Sequence, residues 1–147
     1  IASPTWALPS LVMMSWWSIG GQMVIYLAGI KGIPKELYEA AEIDGAGERA
    51  KFLHVTIPML SPTIFFNVVL GLIGAFQVFE GPLVLTEGGP NNATLTYVLN
   101  LYNKAFKFIH FGYASAMAWF LFVVIMVMTL LVIRSSALWV YYESEAK

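Results

Sequence analysis

The chain has 147 residues, of which 59% are hydrophobic and 12% charged, and a mean hydropathy of +0.71; a soluble domain carries roughly 25% charged residues. A formal net charge of -1, with no basic stripe interleaved with aromatics, leaves no electrostatic case for a nucleic-acid partner. The absence of cysteine excludes a disulfide, a thiolate nucleophile or a Cys-ligated metal.

The apolar residues are gathered into long blocks, which points to lipid as the solvent. The chain opens on Ile1 rather than Met, with no basic stretch ahead of the first block, so neither a start nor a signal peptide is read and a piece of a longer chain is expected. A hydrocarbon core about 30 Å thick takes roughly 20 helical residues. Residues 6–28, 59–79 and 113–133 qualify. Backbone groups in lipid must be satisfied within the segment, so these spans are predicted as helices and the fold as an all-α integral membrane bundle.

In the first span, Ser15, Ser18 and Gln22 fall at i, i+3 and i+7 and predict a protein-facing stripe. The loop 34–58 follows. Pro34 suits the first turn of a helix, Glu36 the positive end of its dipole and Gly45 the position past its end, which predicts a short helix over 34–44. Leu37, Ala40, Ala41 and Asp44 are expected to line one side, kept thin by the alanines. Asp44 opposes the dipole at that end but suits the N-cap of a second helix running through Gly47, Arg49 and Phe52 toward Ile57. Asp44-Gly45 would then be the corner between the two.

Along the second span, Asn67, Gly71, Gly74 and Gln77 share a face and predict close helix packing. In the loop 81–112, Gly88-Gly89-Pro90-Asn91-Asn92 is a turn signal. Beyond it Leu95, Val98, Leu99, Tyr102, Phe106 and Ile109 predict a short amphipathic helix at the membrane surface. The third span opens with Gly112, Ala114, Ser115, Ala116 and Ala118, so its first half is expected to pack tightly.

Lys31, Lys35, Arg49 and Lys51 lie between the first and second spans, Arg134 and Lys147 at or after the end of the third, and only Lys104 and Lys107 in the other loop. Positive charge collects on the cytoplasmic side, which places 34–58 and the C-terminus there and 81–112 and Ile1 outside. No phosphate-binding GxxxxGK[ST] loop occurs, His54 and His110 fall on opposite sides, Glu39 and Glu42 have no companion ligand, and the serines have no base beside them. No catalytic or metal residue is therefore expected, and the protein is read as no enzyme.

The order Glu39-Ala40-Ala41, Asp44-Gly45-Ala46, Phe52, Ile57-Pro58 and Pro62 resembles the "EAA" loop of the membrane subunits of bacterial ABC importers, in its carbohydrate-uptake form. "LAGIKGIPKELY" at 27–38, "LTEGGPNNAT" at 85–94 and "YNKAFKFIHFGYASAMAW" at 102–119 are similar to sugar permeases of the maltose and glycerol-phosphate type. The resemblance implies a multi-pass protein of the bacterial cytoplasmic membrane with generally six core spans, the fourth to sixth of them being here. It implies a coupling helix containing Glu39, Ala40, Ala41, Asp44 and Gly45, which docks in a groove on a cytoplasmic ATPase dimer. A second permease subunit, an extracytoplasmic solute-binding protein and membrane lipid are the other implied partners. No cofactor is expected on this chain, since ATP and magnesium would sit on the ATPase.

The solute implied is a sugar, an oligosaccharide or a glycerol-phosphate-like compound. Its candidate contacts, chosen for polarity, aromatic faces and depth, are Trp17 and Gln22 in the first span and Phe76, Gln77 and Phe79 in the second. The alternative is a membrane scaffold or half of an ion-coupled carrier without an ATPase. Such a carrier calls for acids within its spans, whereas none of the nine acidic residues lies well inside one.

Overall fold

Residues 3–141 are described by the computed structural model, and among them the only regular structure is helix. Three stretches are long and apolar enough to cross a bilayer: Pro4–Lys31, Glu48–Leu85 and Phe111–Ser136. Ile1 and Lys147, which enter the orientation reading, lie outside the described residues.

The first stretch is α1 (Pro4–Ser15) and α2 (Ile19–Lys31), joined by a 3₁₀ turn at Trp16–Ser18. Ser15 Oγ donates to the Val12 carbonyl at 2.7 Å and Ser18 Oγ to the Ser15 carbonyl at 2.6 Å. Hydroxyls that bond back to their own helix disturb its regular ladder. Both serines thus use their donors at the turn, and Gln22 is exposed, so the expected stripe makes no interhelical side-chain bond among the described residues.

The loop helices are α3 (Lys35–Ile43) and α4 (Glu48–Lys51), and α4 continues through a π segment, Phe52–Thr56, into α5 (Ile57–Phe76). Pro58 explains the π segment, since its ring would strike the carbonyl four residues back and it has no N–H to give; the widened turn lets the Ile57 N–H bond to the Phe52 carbonyl instead. Pro62 removes another donor, and here a side chain substitutes: Ser61 Oγ donates to the Pro58 carbonyl at 2.6 Å. The helix ends earlier than the expected span, because Gln77, Val78 and Phe79 break from it before α6 (Glu80–Leu85). After a long turn come α7 (Tyr97–Tyr102), a second π segment (Asn103–Lys107) and α8 (Phe111–Ser136).

The described chain divides into two compact units. One comprises residues 3–18 with Leu70–Leu131. Its turn closes on itself: Thr86 and Thr94 hydroxyls meet at 2.6 Å, buried Thr94 donates to the Gly89 carbonyl at 2.9 Å, and Gly88 supplies a φ of +89. Leu99 is fully buried, and Tyr97 Oη donates to the Met117 carbonyl of α8 at 2.9 Å. The amphipathic face expected from Leu95 to Ile109 is broken. The π segment rotates the later residues, so Ala105 is buried while Phe106 and Ile109 are exposed. Gly71, Gly74 and Gly112 have open space where a side chain would stand, and of the small residues opening α8 only Ala114 is buried. Among the described residues, close packing is therefore found at Ala114 and not at Gly71, Gly74 or Gly112.

The other unit comprises Ile19–Val69 with residues 132–141. Its close approach falls at Gly29, where a Cβ would stand 2.8 Å from Leu60 Cδ2 and 3.0 Å from Thr63 Oγ1, bringing α2 onto α5. Asn67 is buried and donates to the Thr63 carbonyl at 2.9 Å. Residues after α8 pack on the first half of α5: Trp139 meets Phe65 edge-on at 6.1 Å, and the Tyr141 N–H donates to Ser61 Oγ at 2.8 Å.

Candidate functional site

The loop helix α3 is amphipathic and ends in a closed cap. Pro34 is its N-cap rather than its first helical residue, and Asp44 is its C-cap. Gly45 takes a φ of +78, the Gly45 N–H bonds to the Glu42 carbonyl at 2.9 Å, and the Ala46 N–H bonds to the Ala41 carbonyl at 2.9 Å. These two bonds with a left-handed glycine make a Schellman cap. The cap occupies Asp44, Gly45 and Ala46, so the next helix cannot start at Asp44. Its N-cap is Gly47, with φ -73 and ψ 169, and the corner extends from Asp44 to Gly47.

Glu39, Ala40, Asp44 and Gly45 are exposed, and Ile43 is 87% exposed; Ala41 is half-buried, as is Tyr38. The two alanines therefore do not share one outer face. A face of Glu39, Ala40 and Ile43 is offered outward, and Ala41 lies toward the inner side with Tyr38.

That inner side is tied to the foot of α5. Tyr38 Oη lies 2.9 Å from Thr56 Oγ1, with Thr56 buried. Lys51 is buried as well, and its Nζ reaches Glu42 Oε1 and Glu48 Oε1, each at 2.6 Å. Tyr38 and Glu42, four residues apart, form one row along α3. Sequence reading missed this set, although the i, i+4 spacing of Tyr38 and Glu42 and the i, i+3 spacing of Glu48 and Lys51 were both visible. A cleft of about 260 Å³ beside it is lined by Leu37, His54, Val55, Pro58, Met59 and Tyr141.

The candidate solute contacts are divided. Gln77 and Phe79, with Glu80, Val98, Leu121 and Phe122, line an open cleft of about 710 Å³ in the first unit. Phe79 also stacks at a tilt on Tyr102, centroids 5.2 Å apart. Phe76 does not line that cleft. Neither Trp17, 97% exposed in the 3₁₀ turn, nor Gln22, exposed on α2, is among the residues that line the cleft.

With three long apolar helices and no strand among its described residues, the chain is part of a helical membrane protein. The family described as binding-protein-dependent transport system inner membrane component matches residues 2–141, and the chain belongs to that family. It is 44% identical over 145 residues to the probable ABC transporter permease protein YesP of Bacillus subtilis, covering 97% of this chain and 47% of that one. It is 35% identical over 133 residues to the sulfoquinovosyl glycerol transport system permease protein SmoG of Agrobacterium fabrum, covering 90% and 43%. To the arabinooligosaccharides transport system permease protein AraP of Bacillus subtilis it is 39% identical over 127 residues, covering 86% and 41%. The chain thus spans a little under half the length of these relatives.

Proposed function

We propose that this chain is part of the transmembrane subunit of an ATP-binding-cassette importer that moves a carbohydrate across the bacterial cytoplasmic membrane. The observation that carries the reading is α3: an exposed face of Glu39, Ala40 and Ile43 on a helix whose inner row is bonded to the foot of a membrane span. A helix fixed to a span transmits displacement, whereas a flexible linker absorbs it. In this reading the face docks on a cytoplasmic ATPase dimer, ATP and magnesium belong to that partner, and a second permease subunit and a solute-binding protein complete the assembly. The three spans are then the fourth to sixth of six.

The carbohydrate substrate is supported by the names of two relatives, SmoG and AraP, and by a cleft that pairs the Phe79 ring with the Gln77 amide, a combination suited to a sugar's apolar face and hydroxyls. Gln77 and Phe79 are the substrate contacts that this cleft favours over Trp17, Gln22 and Phe76.

The test is co-purification. The full-length permease, expressed with the ATPase encoded beside it or shared by the same cell, should retain that ATPase. It should lose it when Glu39, Ala40, Asp44 and Gly45 are replaced together, while still inserting in the membrane. Retention of the ATPase by that variant would refute the assignment.

A further inference from the structure

Lys51 lies at the end of α4 and is buried, yet both carboxylates it holds are largely exposed, Glu42 at 62% and Glu48 at 91% of their side chains. The two bonds differ in kind. Glu48 sits three residues before Lys51 on the same helix, so that pair only reinforces α4. Glu42 belongs to α3, on the other side of the Asp44–Gly47 corner, so the 2.6 Å bond from Lys51 closes the angle between the two loop helices. Four residues before Glu42 on the same row, Tyr38 makes the second crossing, to buried Thr56 at the end of the π segment. From Lys51 the helical backbone continues without a break through the π segment into α5.

We infer that Lys51 and Glu42, with Tyr38 and Thr56, are the positioning residues that make α3 and α5 one lever, so that movement of the docked helix reaches the span. The inference rests on the importer reading above. The corner itself cannot supply that rigidity: it consists of a cap, a left-handed glycine and Gly47, whose dihedrals have no side chain to restrict them. An ion pair across the corner removes this freedom. Glu42 stays largely exposed, so what the pair supplies is geometry: a short charge-assisted bond that spans the corner.

The experiment uses the full-length permease assembled with its ATPase and binding protein in vesicles, and reads solute transported per ATP hydrolysed. Lys51→Met keeps the aliphatic stem that fills the buried space. It should lower the transport-to-hydrolysis ratio roughly tenfold, the effect of losing one charge-assisted bond from the transmitting geometry, with ATPase co-purification retained. Glu42→Gln should do the same, the double variant should be no worse than either single one, and Lys51→Arg should restore coupling. Glu48→Gln should leave the ratio unchanged, since its pair does not cross the corner.

An unchanged ratio in Lys51→Met, an equal loss in Glu48→Gln, or loss of the bound ATPase would each overturn the inference. Amide hydrogen exchange over α3 supplies a readout that needs no ATPase: it should quicken in Lys51→Met and Glu42→Gln and not in Glu48→Gln. Equal exchange in all three overturns the lever independently. Failure of the unaltered permease to hold any ATPase would instead count against the importer reading.

Discussion

Gly45 gives the sharpest test of how the loop is built. Its φ of +78 lies where an L side chain costs about 1–2 kcal/mol, and two backbone bonds depend on it, Gly45 N–H to Glu42 and Ala46 N–H to Ala41. Around the position a Cβ would occupy there is nothing within 4 Å, so no clash inside the chain accompanies a substitution. The cost is therefore conformational. A penalty of about 1–2 kcal/mol reduces the correctly capped loop population by roughly 5- to 30-fold. Asn enters the left-handed region far more readily than Ala, and a β-branched residue least of all. Uptake of labelled solute by the complete permease should thus fall in the order Gly, Asn, Ala, Val, with ATPase co-purification falling in parallel. Full uptake by Gly45→Ala would show that the left-handed cap is dispensable. Equal damage from Gly45→Asn and Gly45→Val would show that side-chain volume against a partner decides, not the backbone.

Other perturbations separate docking from packing. Glu39→Lys reverses a charge on the exposed face of α3 and should abolish coupled uptake while leaving membrane insertion intact; wild-type uptake would contradict the docking role. Gly29→Leu would force atoms into a space where even a Cβ stands 2.8 Å from Leu60, and should lower stability in detergent by about 1–3 kcal/mol; an unchanged thermal midpoint would refute the close approach of α2 and α5. Ser61→Ala removes the hydroxyl that serves both the Pro58 carbonyl and the Tyr141 N–H and should cost about 0.5–1.5 kcal/mol for each bond lost. Ser61→Thr should restore most of that, and a stable Ser61→Ala would show that the proline is accommodated otherwise.

Much of the architecture was legible because lipid imposes a simple rule: long apolar runs become helices, and α5 and α8 follow it. The ends were less legible. Gln77 to Phe79 carry an apolar composition that reads as span, yet the helix stops at Phe76, and Pro58 and Pro62 reshape the start of α5 without shortening it. Small residues were the poorest guide. Gly71 and Gly74 repeat at helical spacing but face open space, while Gly29, which sits in no stripe, makes the closest contact. Composition states that a backbone can be approached and not what approaches it. Of the loop, the cap at Gly45 could be read directly, because a left-handed glycine after a helix has a local cause. The Lys51 clamp could not, because it depends on how the chain turns between Asp44 and Gly47.

If α3 docks on an ATPase, its outer face is covered in the assembly and open without it. These 147 residues hold no cysteine, and with any cysteine elsewhere in the full-length permease replaced, a single thiol at Ala40 reports on that face alone. A second at Asn92, in the exposed turn of the other loop, serves as control. In inside-out vesicles of the full-length permease, Ala40→Cys should react with a membrane-impermeant maleimide when the ATPase is stripped away and be protected when it is restored, while Asn92→Cys reacts in neither state. Labelling of Ala40→Cys that is the same with and without the ATPase would show that this face is not where the ATPase docks.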